Sequence, residues 1–459
     1  MYRKNAWNDY SEKDLKAVFA FTDDYKDYLS KGKTERECVD LTVEMAEQAG
    51  FKDLKELIKL GKPLTPGEKV YITNYDRQIT LFILGKKPLE AGMRILGAHI
   101  DSPRLDVKQN PLYESEGFVL LDTHYYGGVK KYQWVTIPLA IHGVVYKKNG
   151  KKIVISIGEK DDEPVVGISD LLIHLSQEQM QKKASVVIEG EKLDVTIGSI
   201  PQKDQDTDAI KANIVKLLND KYDIEEEDLV SAELEIIPAG PARDYGLDAS
   251  MIMGYGHDDR VCAYTSLRAF LEYENPEYTT CCMLVDKEEI GSVGATGMSG
   301  YHFETTVAEL CELQNEGGSL KVRRALQNSK MLSSDVSPAL DPLYAEAYEK
   351  KSAAIMGYGI CFNKFTGSRG KSGANDANPE YIALIRNILD EAKVHYQTCE
   401  LGKVDLGGGG TIAYLCAKYN MEVIDAGVAV INMHAPNEVV SKADVYEAYR
   451  CYKVFIEKA

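Results

Sequence analysis

The chain falls into stretches of two different textures. Residues 34–50, TERECVDLTVEMAEQAG, place apolar side chains at Cys38, Leu41, Val43, Met45 and Ala46, open on Thr34 three residues before Glu37, and stop at Gly50. A threonine cap answered by a glutamate, with a closing glycine, predicts an amphipathic helix. Short apolar runs follow, KVYITNY and ITLFILG, and then RILGAHIDSP, whose buried-strand pattern breaks into polar residues at His99. A helix followed by buried strands predicts the opening of an α/β domain.

Between about 107 and 241 short β-rich runs such as WVTIPLAIHGVVY and KKIVISIG alternate with turns, interrupted by the helical stretch DAIKANIVKLLNDKY. From Tyr245 onward helix and strand alternate again, through CAYTSLRAFLEYE, TTCCMLVDKEE, PEYIALIRNILDEAKVH, GGTIAYLCAKY, MEVIDAGV and ADVYEAYRCYKVFIEK. The pattern predicts one discontinuous α/β domain, 1–107 and 242–459, into which a mainly β unit, 108–241, is inserted at an exposed loop. No self-similarity of a solenoid or propeller period is present.

Bulk properties narrow the class. At 459 residues the chain exceeds the size of a single core, and 44% hydrophobic with 27% charged residues belongs to folded globular proteins. A formal charge of -17 argues against a nucleic-acid partner and against an anionic membrane surface. The charged start and the lack of any apolar stretch of roughly 18 residues predict no secretory signal and no membrane span, hence a cytoplasmic protein. The nine cysteines are scattered, with only Cys281 and Cys282 close together and no CxxC spacing, so free thiols in a reducing compartment are expected.

Several segments place metal-binding chemistry at strand or loop ends. A zinc hydrolase needs histidine and carboxylate ligands, an open position for water, and a carboxylate base that does not ligate. In HIDSP, Asp101 follows His99 by two residues, so on an extended segment both point to one side and the carboxylate can orient the imidazole. In VDKEEIGSVGATG the adjacent Glu288 and Glu289 project to opposite sides of an extended stretch, one available to a metal and one to water. Asp259 in GHDDR, Asp335 in SSDVS and His434 in NMHAPNE extend the set.

The ordered motifs HxDSP, xDDR, DKEEIGS, SSD and MHxxNE resemble the M18 family of metallo-aminopeptidases, the aspartyl aminopeptidase group, from the first helix to the last. The resemblance implies a mixed-sheet α/β zinc exopeptidase domain with an inserted, mainly β dimerisation domain. It implies two zinc ions, with cobalt or manganese as substitutes. Asp259 would bridge them, His99 and Asp335 would complete one site, and Glu289 and His434 the other. Glu288 would be the general base and Asp101 would steady His99. It further implies peptide substrates and a homo-oligomer built from dimers, up to a dodecamer.

The chain departs from the family at three places. Tyr132, in YYGGVKKYQW, stands where many members carry a histidine that reaches a neighbouring active site, and Pro338 and Asp341 stand where two more histidines are common. The glycine-rich stretch 363–376, NKFTGSRGKSGAND, concentrates Lys364, Arg369 and Lys371 and is able to present cations to an acidic first residue of a peptide. It lacks the GxxxxGK[ST] spacing of a phosphate loop. The four glycines at 407–410 are read as a close backbone approach. Two other readings compete: a deacylase or carboxypeptidase with the same kind of centre, and a non-catalytic metal-binding assembly protein.

Overall fold

Thr34 caps the helix Glu35–Gln48 as its sequence predicts: its hydroxyl accepts from the Glu37 amide while the Glu37 carboxylate accepts from the Thr34 amide. The computed structural model describes residues 4–368 and 370–459, so Arg369 lies outside the described residues. The charged segment from Glu12 to Lys31, near the start of the chain, folds as a helix. Ser11 and Asp14 form its capping box, and Val18, Phe21, Tyr25 and Leu29 bury one face. Its charges occupy the other face, which is why the apolar stripe is easy to miss.

The chain divides into two units. The first runs to Asp101 and resumes over Ala242–Met433 and Glu438–Ala459; the second is Ser102–Pro241 with His434–Asn437. The second unit therefore begins at Ser102 rather than at 108. Residues 104 to 107 open the strand Arg104–Ser115, which pairs with Phe118–Tyr126 and so belongs to the β sheet of the insertion.

The first unit is built on a nine-stranded sheet. In spatial order its strands are Lys52–Asp53, Lys69–Asn74, Gln78–Ile83, Thr280–Val285, Arg94–His99, Lys330–Ser333, Glu422–Gly427, Ile360–Asn363 and Tyr396–Cys399. The four strands from Thr280–Val285 to Glu422–Gly427 are mutually parallel. Their side chains alternate between two cores: Leu96, Cys282 and Ile424 face the helices Glu35–Gln48, His257–Leu271, Pro379–Ala392 and Lys442–Lys458, whereas Ile95, Cys281 and Val423 face His302–Leu313, Ser319–Gln327 and Ala413–Ala417. Helices on both faces explain why these strands read as continuous apolar runs. A separate five-stranded sheet includes Met251–Gly254 and Glu438–Ser441.

The second unit is a six-stranded antiparallel sheet in the order Lys152–Ile157, Leu139–Tyr146, Ala232–Pro238, Arg104–Ser115, Phe118–Tyr126, Val195–Gly198, with the helix Ala209–Tyr222. Leu172, Ile173, Leu175 and Met180 form an exposed apolar run on it. All nine cysteines are buried and free. No helix among the described residues is long and apolar enough to cross a membrane.

Candidate active site

The carboxyl ends of the parallel strands gather the acidic motifs. His99 is the last residue of its strand and pairs with Val285; Glu288 and Glu289 lie three and four residues beyond that neighbour, and Asp335 two beyond the parallel strand Lys330–Ser333. Open α/β sheets collect ligand groups at such ends. Asp258 and Asp259 come from the first turn of His257–Leu271.

Asp101 organises one side of the cluster. Its Oδ1 lies 3.2 Å from His99 Nδ1, and its own carbonyl lies 3.0 Å from the same nitrogen. Asp101 Oδ1 and Oδ2 also accept from the Glu288 and Glu289 amides, each at 3.1 Å. One buried carboxylate thus fixes a ring and a turn together. The glutamates sit in a 3-10 turn, Glu288–Ile290, bounded by Lys287 (φ 69°) and Gly291 (φ 93°), not on the extended stretch expected from sequence. Arg77 supports the turn by pairing with the buried Asp286 at 3.0 Å and the buried Glu35 at 3.3 Å.

With Nδ1 held, His99 Nε2 faces the acids: it lies 3.2 Å from Asp258 Oδ1 and 4.0 Å from Glu288 Oε2. Burial pulls the His99 pKa down, but the Asp101 and Asp258 carboxylates outweigh it and the net shift is upward. Donor atoms lie within 4.8 Å of one another in three overlapping groups: His99, Asp258 and Glu289; His99, Glu288 and Asp335; Asp258, Asp259 and Asp335. Glu438, buried, accepts from the Asp258 amide at 2.9 Å and holds that residue in place.

The acids sit at high cost without a cation. Asp259 is fully buried, near the Cys262 thiol but with neither oxygen in a hydrogen bond of ordinary geometry, and burial, then the Asp258 charge, drives its pKa well up. Asp335 is driven up by burial and then by Asp259 and Glu288. Repelling carboxylates around one imidazole form the donor set that a divalent cation stabilises, so these residues fit zinc. Gly427 permits the crowding, because a Cβ there would stand 1.8 Å from the Asp335 carbonyl oxygen. The sequence reading preferred Asp259 to Asp258, and it missed Glu438. Asp258 is one place from Asp259 in an acidic pair, and Glu438 had no mark beyond ending the MHxxNE motif.

His434 belongs to the second unit, where its Nδ1 lies 2.9 Å from the Gly128 carbonyl oxygen. Tyr132 lies in that unit too, exposed on the short turn Lys131–Gln133 that the fully buried Trp134 closes. Of the basic loop, Lys364 is exposed, while Lys371 pairs with Asp376 at 3.0 Å and stacks on Phe365. A cleft of about 340 Å³ is lined by Lys371, Glu400 and Lys403 with the neighbouring glycines. Gly408 and Gly409 pair with Ser368 and Gly367, the close approach expected of the glycine run. Asp341 caps the turn Pro342–Ala347 by accepting from the Leu343 amide.

Residues 28–456 match the family described as aminopeptidase I zinc metalloprotease (M18). A probable M18 family aminopeptidase 1 of Clostridium acetobutylicum is 58% identical over 454 residues, 99% of this chain and 98% of that protein. One from Borrelia garinii is 43% identical, with each chain covered completely. Among solved structures, an M18 aminopeptidase from Thermotoga maritima matches with a TM-score of 0.95 at 42% identity over the whole of both chains. Aminopeptidase I from Clostridium acetobutylicum matches at 0.89 and 55% identity, covering 100% of this chain and 99% of that one. With its mixed α/β fold and a donor cluster suited to zinc, the chain belongs to the M18 family of zinc aminopeptidases.

Proposed function

We propose that this aminopeptidase works with two zinc ions and that Glu288 is its general base. The observation that carries the reading is the set of three overlapping donor groups joined through His99, Asp258 and Asp335. Asp258 stands in two of those groups, beside His99 and Glu289 in one and beside Asp335 in the other, and so serves as the shared carboxylate in preference to Asp259. His99 and Asp335 complete one set and Glu289 the other. His434 is assigned to the second set from its place in the MHxxNE motif.

Bound zinc supplies Lewis acidity, which polarises the scissile carbonyl and makes water acidic near neutral pH. Glu288 takes a proton from the attacking water and delivers it to the leaving amine. Its carboxylate is placed for this by the Asp101 bond to its own amide, and its side chain stays about 15% exposed. Asp101 also holds His99 with Nε2 turned inward. Metal analysis is expected to give about two zinc ions per chain, and a chain active at full rate after complete metal removal would defeat the reading.

Peptides with a free N-terminus are the substrates, and the first residue is selected beside the basic loop and cleft of Lys364, Lys371 and Lys403, which gives acidic residues the advantage. A panel of peptides decides. Acidic first residues should be cleaved with higher kcat/KM than basic ones, and N-acetylated peptides should resist; cleavage of acetylated peptides would point instead to a deacylase. The inserted unit is read as the site of homo-oligomer formation, since its exposed apolar run around Leu172, Ile173 and Leu175 is the kind of surface that association covers. Light scattering should give a mass of at least a dimer.

A further inference from the structure

Two neighbouring glycines, Gly127 and Gly128, differ in what they require. Gly127 has φ 72°, a left-handed backbone that accounts for glycine by itself. Gly128 has no such backbone, so its lack of a side chain needs another cause. A Cβ at Gly128 would meet two atoms within 4 Å, and both belong to one ring: His434 Nδ1 at 3.2 Å and His434 Cε1 at 3.6 Å. The Gly128 carbonyl oxygen is also the group 2.9 Å from His434 Nδ1. His434 itself stands in the left-handed region at φ 66°, as Asn432 does at φ 63°. A non-glycine residue is held there only when its surroundings over-determine it.

We infer that Gly128 is a positioning residue for the His434 ligand, cradling its ring and fixing its tautomer. A carbonyl oxygen only accepts, so His434 Nδ1 must carry the proton, and in the neutral ring the lone pair then resides on Nε2. A ligating imidazole is ordinarily steered by such an acceptor on its other nitrogen. Here the acceptor is a backbone oxygen on the loop after the strand Phe118–Tyr126 of the inserted unit, so no side chain in the sequence betrays it. The inference rests on His434 being a zinc ligand, as proposed above.

The test compares Gly128→Ala and Gly128→Val with His434→Gln. Gly128 is exposed and its backbone accepts a side chain, so both variants should fold and melt like the parent protein. Histidine ¹⁵N spectra of the metal-free protein should show His434 protonated on Nδ1 in the parent and a mixture of tautomers in the variants. Chelator competition should show one zinc equivalent weakened about 10- to 100-fold in Gly128→Ala, further in Gly128→Val, and lost in His434→Gln. If His434→Gln loses that equivalent while both Gly128 variants keep parental affinity and tautomer, the positioning role is wrong and the ligand assignment stands. If His434→Gln retains both equivalents, His434 is no ligand and the inference falls with it.

Discussion

Asp101 concentrates three tasks in one carboxylate: it meets His99 Nδ1 and accepts from the amides of both Glu288 and Glu289. Asn at this position keeps one acceptor and turns its amide nitrogen toward a backbone N–H or toward a ring nitrogen that is itself a donor. Asp101→Asn should therefore weaken zinc binding about 10- to 100-fold, read by chelator titration; parental affinity would show that the hydrogen bonds are dispensable. The i, i+2 relation of His99 to Asp101 was legible in the sequence because an extended segment leaves little freedom. The choice within Asp258–Asp259 was not, since adjacent acids differ by one place in a motif and by everything in their contacts. His99 Nε2 lies 3.2 Å from Asp258 Oδ1, whereas Asp259 turns toward Cys262.

At the scale of elements, the apolar runs marked the central strands because each is buried on both faces by helices. They also marked where the strands stop: His99 ends one run and Asp335 follows another. The Glu288–Glu289 segment departs from expectation because Lys287 and Gly291 fold it into a turn, a conformation that local propensity does not reveal. The stretch TIAYLCAKY forms only the short helix Ala413–Ala417, flanked by a glycine pairing that no periodicity reports. Gly427 illustrates how one element constrains another: any side chain there strikes the Asp335 carbonyl. Gly427→Ala is expected to cost about 1–3 kcal/mol and to lower zinc content through displacement of Asp335. Thermal melting and metal analysis measure both, and an unchanged melt with full zinc would remove the packing argument.

For the molecule as a whole, the sequence showed the change of texture that marks the insertion, but not that the second unit starts at Ser102 or takes in His434–Asn437. Four residues near the end of the chain join it through spatial proximity alone, and no composition signal reports that. Stability should also carry a pH signature from Asp425, which is buried on the strand Glu422–Gly427 and raised by burial to about 7, the Ser333 and Thr411 hydroxyls offsetting only part of the shift. In the unfolded chain this carboxyl loses its proton near pH 4. The folded protein holds the proton longer, so this group's contribution to stability falls as pH rises from about 4 to about 7 and is level above that. Asp425→Asn should accordingly raise the melting temperature more at pH 8 than at pH 5, and equal shifts at both would refute the assignment.

The central claim, that the acidic cluster is a zinc centre served by Glu288 as base, is tested most directly by turnover of Glu288→Gln on a peptide with a free N-terminus at matched zinc content. The account predicts a loss of about 10²- to 10⁴-fold in kcat with about two zinc ions still bound. Turnover near that of the parent protein at the same zinc content would contradict it.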